Sequence, residues 1–147
     1  MVVRPAAAGD VVRLVELLAH GAVGASQEQP SQPAPYLAAL AEIGRGPGAL
    51  LVAEREGEVV GVCQLIVFRH FQGRGGLCAE IESVHVHPDR RGHGIGHILM
   101  AAVIARAREL GCYRVQLTSN AARTDAHRFY ESLGFVPSHC GFKLVLD

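Results

Sequence analysis

The sequence has 147 residues, enough for one domain, residues 1–147, with a substantial buried core. Its 14 basic and 14 acidic residues give a formal charge of zero at pH 7, so charge does not predict binding to nucleic acid or to an anionic membrane. The longest apolar run, residues 98–105, is far shorter than the roughly 20 residues that cross a bilayer, and the first residues lack the apolar stretch of a signal peptide. We therefore expect a cytoplasmic protein.

The first 43 residues predict a short strand followed by two helices. Residues 2–4 form the strand, and Asp10 is placed to cap a helix that ends near Gly21. Residues 24–35 are polar and rich in proline, which predicts a loop. A second, short helix is expected over residues 36–43.

Three apolar strands follow in the middle of the chain. Residues 49–54 and 59–68 are joined by a glycine-containing hairpin turn, and a loop over residues 69–76 leads into a third strand that begins near Glu80. Because the connections are short, we expect an antiparallel meander.

The last third predicts two helices and three strands. A helix closes at Gly111, a strand follows over residues 113–118, and a helix capped by Thr124 or Asp125 runs to residue 133, with Gly134 as its stop. Residues 135–136 and 142–146 are the last predicted strands. The predicted order βααβββαβαββ is that of a mixed α/β fold with a central sheet between helices.

The third central strand carries the residues most suited to chemistry. Strict alternation would divide it into two faces, with Ile81, Ser83, His85 and His87 on one face and Glu80, Glu82, Val84 and Val86 on the other. Pro88 ends the strand, because proline cannot donate to the ladder.

A basic, glycine-rich turn over residues 91–96 connects this strand to an amphipathic helix. The first N–H groups of a helix have no partner within the helix, and the helix dipole favours negative charge there. Glycines at 92, 94 and 96 would let a pyrophosphate approach the backbone, and Arg90 and Arg91 add donors. A dinucleotide-binding turn would lie in the first strand–helix unit of the chain, whereas this turn follows the fourth predicted strand.

Two segments resemble the GNAT (GCN5-related) N-acetyltransferase family. Residues 91–96, Arg-Gly-His-Gly-Ile-Gly, match its acyl-CoA-binding motif Arg/Gln-x-x-Gly-x-Gly/Ala, and residues 125–135 resemble its Ala-x-x-Phe-Tyr-x-x-x-Gly-Phe segment. Residues 117–130 and 138–139 are most similar to the aminoalkylphosphonate N-acetyltransferase branch. The resemblance implies the GNAT fold, with a mixed, mostly antiparallel sheet flanked by helices.

The resemblance implies acetyl-CoA as cosubstrate, and it assigns residues to its binding. The expected binding residues are Val84, His85, Val86, Arg91, Gly92, His93, Gly94, Ile95, Gly96, Asn120 and Tyr130. Within this set, backbone groups of Val84 and Val86 would pair with the pantetheine arm, and the glycine-rich turn would hold the pyrophosphate.

Acetyl transfer to an amine needs a base for the amine and an acid for the departing thiolate. Glu80 lies 11 residues before Arg91, a spacing that resembles the general-base glutamate of several family members, and Glu82 is the second candidate. Tyr130 occupies the family's Phe-Tyr position and is the expected acid. Alternatively, the two glutamates are solvated carboxylates on a strand, and the ring of Tyr130 fills the core.

The leading functional hypothesis is an enzyme that transfers acetyl from acetyl-CoA to a primary amine of a small molecule by direct attack in a ternary complex. Aminoalkylphosphonates, amino sugars, polyamines and antibiotics are possible acceptors, and the loop over residues 24–35 either covers the acceptor pocket or is a plain surface loop. The alternatives are a protein acetyltransferase acting on an N-terminus or a lysine, and a non-catalytic CoA-binding regulatory module. The family also suggests a homodimer.

Two further chemistries are less favoured. Eight histidines invite a metal hypothesis, but their spacing forms no known ligand motif, so no metal site is predicted. The four cysteines, Cys63, Cys78, Cys112 and Cys140, lack CxxC spacing. We expect them to be reduced structural thiols rather than nucleophiles.

Overall fold

The computed structural model describes residues 1–146, and its centre is one five-stranded mixed sheet. The strands lie in chain order across the sheet: β1 Val2–Pro5, β2 Ala49–Arg55, β3 Glu58–Arg69, β4 Leu77–Val86 and β5 Cys112–Leu117. Neighbours from β1 to β4 are antiparallel, whereas β5 runs parallel to β4. The expected meander and the mixed GNAT-like sheet are confirmed.

Five helices accompany the sheet, and none of those in the described chain is both long and apolar enough to span a membrane. They are α1 Val11–Gly21, α2 Ala34–Ile43, the single turn α3 Gln72–Gly75, α4 Ile95–Glu109 and α5 Thr124–Ser132. Short 3₁₀ turns over Ala8–Asp10 and Pro88–Arg90 precede α1 and the glycine-rich turn.

The two faces of the sheet bury different helices. Apolar residues of α4 recur at helical spacing and pack against the sheet, with Leu99, Met100 and Val103 fully buried. On the opposite face, Leu14 and Leu17 of α1 form a second cluster with β2 and β3. These two helical layers cover the two faces of the sheet, whose middle strand is β3.

Asp10 precedes α1 as expected, but its carboxylate does not cap that helix. It accepts hydrogen bonds from the guanidinium of Arg4 at 2.7 and 3.0 Å and from the backbone N–H of Ala7 at 2.7 Å. The same guanidinium binds Glu54, so the first strand is tied to the start of α1 and to β2. The hydrogen bond from Arg4 holds the pKa of Asp10 below its usual range.

The expected alternation of faces along β4 is wrong beyond residue 82, because β4 contains a bulge. Ser83 has a positive φ of 53°, and the register with β3 shifts between Val62 and Gln64. One extra residue reverses the alternation, so Val84 and Val86 lie on the same face as Ile81, against α4.

The last two predicted strands, over residues 135–136 and 142–146, are also wrong. The chain from residue 133 to residue 146 forms no strand, and the side chains of residues 142–146 are exposed. Phe135 is half-buried and packs on the α4 core. An apolar pattern shows that a segment suits a sheet, but strand formation also depends on whether the path of the chain brings the segment onto a free edge.

Candidate active site

The candidate site lies where β4 and β5 stop pairing. Their parallel ladder begins at Leu77 and Cys112 and ends at Ile81 and Leu117, although β4 continues to Val86. Beyond Ile81, the β5-facing edge of β4 is therefore open. Backbone N–H and C=O groups need partners, so an extended ligand could pair there as a strand does.

The glycine-rich turn follows directly at the end of β4. Gly92 and Gly94 have φ of 78° and 75°, the left-handed conformation that glycine adopts without strain. Gly94 is the N-cap of α4, and its carbonyl accepts the first hydrogen bond from Ile98 at 3.1 Å. The N–H groups of residues 95–97 consequently have no partner within the helix and can bind an anion.

Gly96 is required for packing in the first turn of α4. A Cβ at this position would lie 3.1 Å from Cζ of Phe129, so glycine lets α5 approach the start of α4. The ring of His97 meets Phe129 edge-on, with centroids 4.9 Å apart. The turn and α5, which carry the two sequence segments that define the resemblance, are thus in direct contact.

Two side chains of the turn, Arg91 and His93, already make hydrogen bonds to nearby backbone carbonyls. Arg91 donates from Nε to the carbonyl of Val86 at 3.3 Å, and the ring of His93 hydrogen bonds to the carbonyl of Arg91 at 2.9 Å. The Val86 carbonyl, which we expected to be free for a ligand, is therefore bound by Arg91. Arg91 fixes the turn to the end of the strand.

Glu80 and Glu82 lie on the face of β4 opposite Ile81. Glu82 is paired with Gln64 of β3, and opposite residues in an antiparallel pair share a face. Glu80 lies inside the β4–β5 ladder and accepts a hydrogen bond from Nε2 of Gln116 at 3.0 Å. Glu82 is the first residue beyond the end of that ladder.

Tyr130 of α5 is half-buried and packs against the α4 core. Its ring is in contact range of Phe129 and Phe135, with centroid distances of 5.3 and 6.1 Å. Burial raises the pKa of Tyr130, and the charge of Glu82 acts in the same direction, whereas the charge of Arg123 opposes it. Tyr130 therefore keeps its proton at neutral pH and is within electrostatic range of Glu82.

His85 lies on the α1 side of the sheet, beside the end of that helix. Burial lowers the pKa of His85, and the positive charges of Arg123 and Arg91 lower it further. Arg123 is thus within electrostatic range of both His85 and Tyr130. The ring of His85 packs at Gly21 and fills space between α1 and β4, a structural role that the sequence did not reveal.

Asn120 follows β5 and closes the loop that leads to α5. Its Oδ1 accepts from the N–H of Ala122 at 2.9 Å, and its carbonyl accepts from Arg123 and His127. Its side-chain oxygen is therefore occupied by a local turn. Its amide nitrogen keeps two donors for a ligand.

A pocket with mainly apolar walls lies on the same face of the sheet as Glu82. Its polar lining consists of Tyr36, Gln64 and Ser83, and no lysine or arginine contributes within the described chain. The apolar lining comes from α1, α2 and two strands: Val11, Leu14, Val15, Leu18, Ala39, Leu40, Ile43, Leu50 and Val62. The sequence does not reveal this pocket, because its walls meet only in the folded chain.

Metal ligation and cysteine chemistry gain no support from the geometry. Within residues 1–146, no three His, Cys, Asp or Glu side chains lie together in a way that could hold a metal ion. Burial raises the pKa of the Cys63 thiol to about 12, so it is not a nucleophile at neutral pH.

Known proteins similar to this chain include small-molecule acetyltransferases. It is 39% identical over 89 residues to a mycothiol acetyltransferase of Thermobispora bispora (60% of this chain, 30% of that protein). It is 38% identical over 95 residues to an aminoalkylphosphonate N-acetyltransferase of Salmonella typhimurium (65% and 61%). A glucosamine 6-phosphate N-acetyltransferase of Trypanosoma brucei brucei is 32% identical over 129 residues (86% and 82%). The chain thus spans less than two thirds of the first two relatives.

Solved structures match over almost the whole chain. A protein from Bacillus halodurans described as a transcriptional regulator has a TM-score of 0.93 at 38% identity, with 99% of each chain covered. A putative acetyltransferase from Agrobacterium tumefaciens has a TM-score of 0.88 at 28% identity, covering 99% of this chain and all of the other.

The family described as "Acetyltransferase (GNAT) family" matches residues 14–135, which include the glycine-rich turn, both glutamates and Tyr130. The chain therefore belongs to the acetyltransferase (GNAT) family.

Proposed function

We propose that this chain, acting as a single domain in the cytoplasm, transfers the acetyl group of acetyl-CoA to the primary amine of a small molecule with an apolar body. The observation that carries the proposal is the meeting of three features at one end of β4: the open strand edge, the glycine-rich turn, and the apolar pocket that Ser83 reaches. The turn can bind a phosphate, the strand edge can pair with an extended arm, and the pocket can hold a second substrate.

The residues that would hold acetyl-CoA fit its chemistry. The N–H groups of residues 95–97 and the left-handed Gly92 and Gly94 provide a site for the pyrophosphate. The β4 edge over residues 83–85 offers backbone groups to the amides of the pantetheine arm. The segment that follows β5 contributes the free amide donors of Asn120 and the positive charge of Arg123.

Proton transfer requires a base near the amine and an acid near the sulfur. We assign the base to Glu82, acting directly or through a water, with Glu80 as the second candidate. Glu80 is bound to Gln116 inside the ladder, whereas Glu82 lies beyond the ladder and within electrostatic range of Tyr130. Tyr130 would protonate the departing thiolate, and its raised pKa keeps the phenol in the acid form.

The reaction balances with these two groups. The neutral amine nitrogen bonds to the acetyl carbon, the carbon–sulfur bond breaks, and the electron pair leaves with sulfur. Glu82 takes a proton from the amine nitrogen, and Tyr130 gives one to the thiolate. Direct attack needs no cysteine nucleophile, in keeping with the raised pKa of Cys63.

The apolar body of the acceptor is inferred from α2 and the pocket. Four residues of α2, namely Tyr36, Ala39, Leu40 and Ile43, line the pocket, yet α2 has no fully buried residue. This apolar face is incompletely covered by the rest of the chain and is suited to an apolar ligand. Two of the relatives described above are named for phosphorylated or phosphonate acceptors, whose charge this lining has no lysine or arginine to meet.

The test is acetyl-CoA-dependent thiol release with matched panels of amines. We expect higher kcat/KM for alkyl and arylalkyl primary amines than for aminoalkylphosphonates, glucosamine 6-phosphate or polyamines. Preference for a phosphorylated amine would overturn the apolar acceptor while leaving acetyl transfer intact. Tight acetyl-CoA binding without release to any amine would overturn the enzyme and favour the regulatory module.

The assignment of the base is tested separately, with the two glutamates as matched variants. Glu82→Gln should lower kcat by about 10²–10⁴-fold, while Glu80→Gln should keep kcat near that of the wild type. The reverse result would transfer the role to Glu80. Acetyl-CoA affinity, measured by calorimetry, should stay unchanged in both variants.

A further inference from the structure

The apolar pocket contains three polar side chains, and the hydroxyl of one of them, Tyr36, is already occupied. It donates to Oε2 of Glu28 at 2.7 Å and accepts from the backbone N–H of Gln29 at 3.0 Å. A phenol has a single proton to donate, so Tyr36 presents mainly its ring to a ligand. The α2 side of the pocket therefore offers apolar contacts rather than hydrogen bonds.

The other two polar side chains, Gln64 and Ser83, are free. Within residues 1–146, neither the amide of Gln64 nor the hydroxyl of Ser83 makes a hydrogen bond, and both residues are half-buried. A polar group that lines an apolar pocket without a partner in the protein is suited to fix the orientation of a ligand. The sheet side of the pocket is therefore its polar end.

This polar end adjoins the proposed base. Gln64 of β3 and Glu82 of β4 are direct partners in the antiparallel ladder, and Ser83 follows Glu82 in the chain. The side chains of such a pair share a face, with Cβ atoms about 4.5–5.5 Å apart. When the amine of an acceptor meets Glu82, Gln64 is therefore within reach of a group on the neighbouring carbon of the same molecule.

The charges around the pocket favour a neutral group at that position. No lysine or arginine lines the pocket within the described chain, whereas Glu82 lies on the same face of the sheet and Glu28 binds Tyr36. A carboxylate on the acceptor would thus meet like charges without a cation to pair with. The amide of Gln64 both donates and accepts, so it can pair with a hydroxyl or with a carboxamide.

We propose that Gln64 determines which amines are accepted, by binding a neutral hydroxyl or carboxamide on the carbon next to the one that bears the amine. This inference rests on the proposed acetyl transfer and names its acceptor more closely, as a small 1,2-amino alcohol or α-amino amide. The apolar side chain of the acceptor lies against α1 and α2, and its amine is turned toward Glu82. Leucinol and leucinamide are simple amines that combine these three parts.

The first test is thiol release by the wild type with amines that share one carbon skeleton: leucinol, leucinamide, leucine and 4-methylpentan-2-amine. Because these amines differ in basicity, kcat/KM is expressed per concentration of neutral amine. We expect leucinol and leucinamide to exceed 4-methylpentan-2-amine by about tenfold or more, since the latter leaves the amide of Gln64 unpaired, and leucine to be the poorest.

The outcomes separate this inference from the function on which it rests. Equal values for leucinol and 4-methylpentan-2-amine, or a preference for leucine, would overturn the inference and leave acetyl transfer intact. Release with other alkylamines but with none of this series would overturn it as well. Absence of release with every amine, despite binding of acetyl-CoA, would overturn the proposed function itself.

The second test assigns the preference to Gln64. Gln64→Met keeps the length of the side chain but removes the amide, so kcat/KM for leucinol should fall about tenfold while that for 4-methylpentan-2-amine stays within about twofold. Gln72→Met changes an exposed glutamine on α3 and should keep the wild-type preference. A purely structural role would lower both amines alike. Such a parallel loss, or an unchanged preference in Gln64→Met, would overturn the role of Gln64.

A third comparison distinguishes the two sources of an α-amino amide. The amino terminus of a peptide has the same chemistry, so a tetrapeptide that begins with leucine is compared with leucinamide. We expect the higher kcat/KM for leucinamide, which contains every group that the pocket contacts. Preference for the tetrapeptide would identify a peptide amino terminus as the acceptor and overturn the small molecule.

Discussion

A Cβ on Gly21, the last residue of α1, would overlap Nδ1 of His85 on β4. The helix and the strand therefore meet through a glycine on one side and an imidazole ring on the other. This contact lies just beyond the Ser83 bulge, at the point where β4 leads to the glycine-rich turn. It fixes α1, and with it one wall of the apolar pocket, relative to the strand.

Replacing Gly21 by alanine should displace the His85 ring. Overpacking of this kind costs about 1–3 kcal/mol, so we expect a lower urea midpoint at an unchanged slope. Gly9→Ala is the control, because nothing lies within 4 Å of a Cβ at that position. Equal stability of both variants would show that the ring moves aside freely.

The lowered pKa of His85 makes stability depend on pH. Between the lowered native pKa and the unfolded value of about 6.5, the unfolded chain binds more protons, so stability is lost as pH falls through this window. His85→Phe keeps an aromatic ring but removes the titrating group. Urea midpoints at pH 7.5 and 5.5 should therefore differ less in the variant than in the wild type; an equal or larger difference would contradict the assignment.

Alanine at Gly94 should weaken acetyl-CoA binding. A left-handed alanine costs about 1–2 kcal/mol, and relief of that strain would turn the first N–H groups of α4 away from the pyrophosphate. Gly111→Ala is a matched control, since both glycines have φ of 75° and open space around a Cβ. We expect similar losses of stability but a higher dissociation constant by calorimetry for Gly94→Ala alone. Equal affinities would exclude the turn as the anion site.

Phenylalanine at Tyr130 should lower kcat by about 10²–10⁴-fold at nearly constant KM for acetyl-CoA, because it removes only the transferable proton. Since the pKa of Tyr130 is raised by burial, wild-type kcat should not fall on the alkaline side until the pH exceeds about 10. Tyr113→Phe alters an exposed phenol that is hydrogen bonded to His70 and should remain active. Full activity of Tyr130→Phe would remove the residue from the mechanism.

Arginine at Leu40 should change the choice of acceptor. Leu40 lines the pocket on α2, whereas Leu37, on the same helix, is exposed and outside it. We expect Leu40→Arg to shift relative kcat/KM toward phosphorylated or phosphonate amines by tenfold or more, in line with the discrimination that one pocket contact provides (about 10–200-fold). The shift should be absent in Leu37→Arg; an equal shift in both would point to long-range charge instead.

Much of this fold follows from local signals in the sequence. Gly134, with a φ of 91°, ends α5 as its position predicts, and the hairpin between β2 and β3 forms where Gly57 allows it. The glycine-rich turn could likewise be located because its chemistry depends on consecutive residues. Of the two proposed catalytic groups, Tyr130 is the acid that the sequence predicts, whereas for the base the sequence favours Glu80 and gives Glu82 only as the second candidate.

Features that depend on distant parts of the chain could not be found in this way. The bulge at Ser83 is defined by a register shift against β3, and serine itself does not indicate a positive φ. The pocket needs α2 to lie over α1 and the sheet. A strand is predicted over residues 142–146, but whether the sheet receives this segment depends on the path of the chain after Gly134.

The Ser83 bulge also determines how this strand tolerates changes in length. Ile81 and Val84 are three positions apart and yet face the same side, because the bulge contributes one extra residue between them. Deleting Ser83 would leave them two positions apart, the spacing at which an ordinary strand keeps both side chains on one face, so Val84 and Val86 would stay against α4. A deletion elsewhere in β4 would instead exchange the two faces of part of the strand. In a library of single-residue deletions, position 83 should therefore retain more function than the other positions of β4.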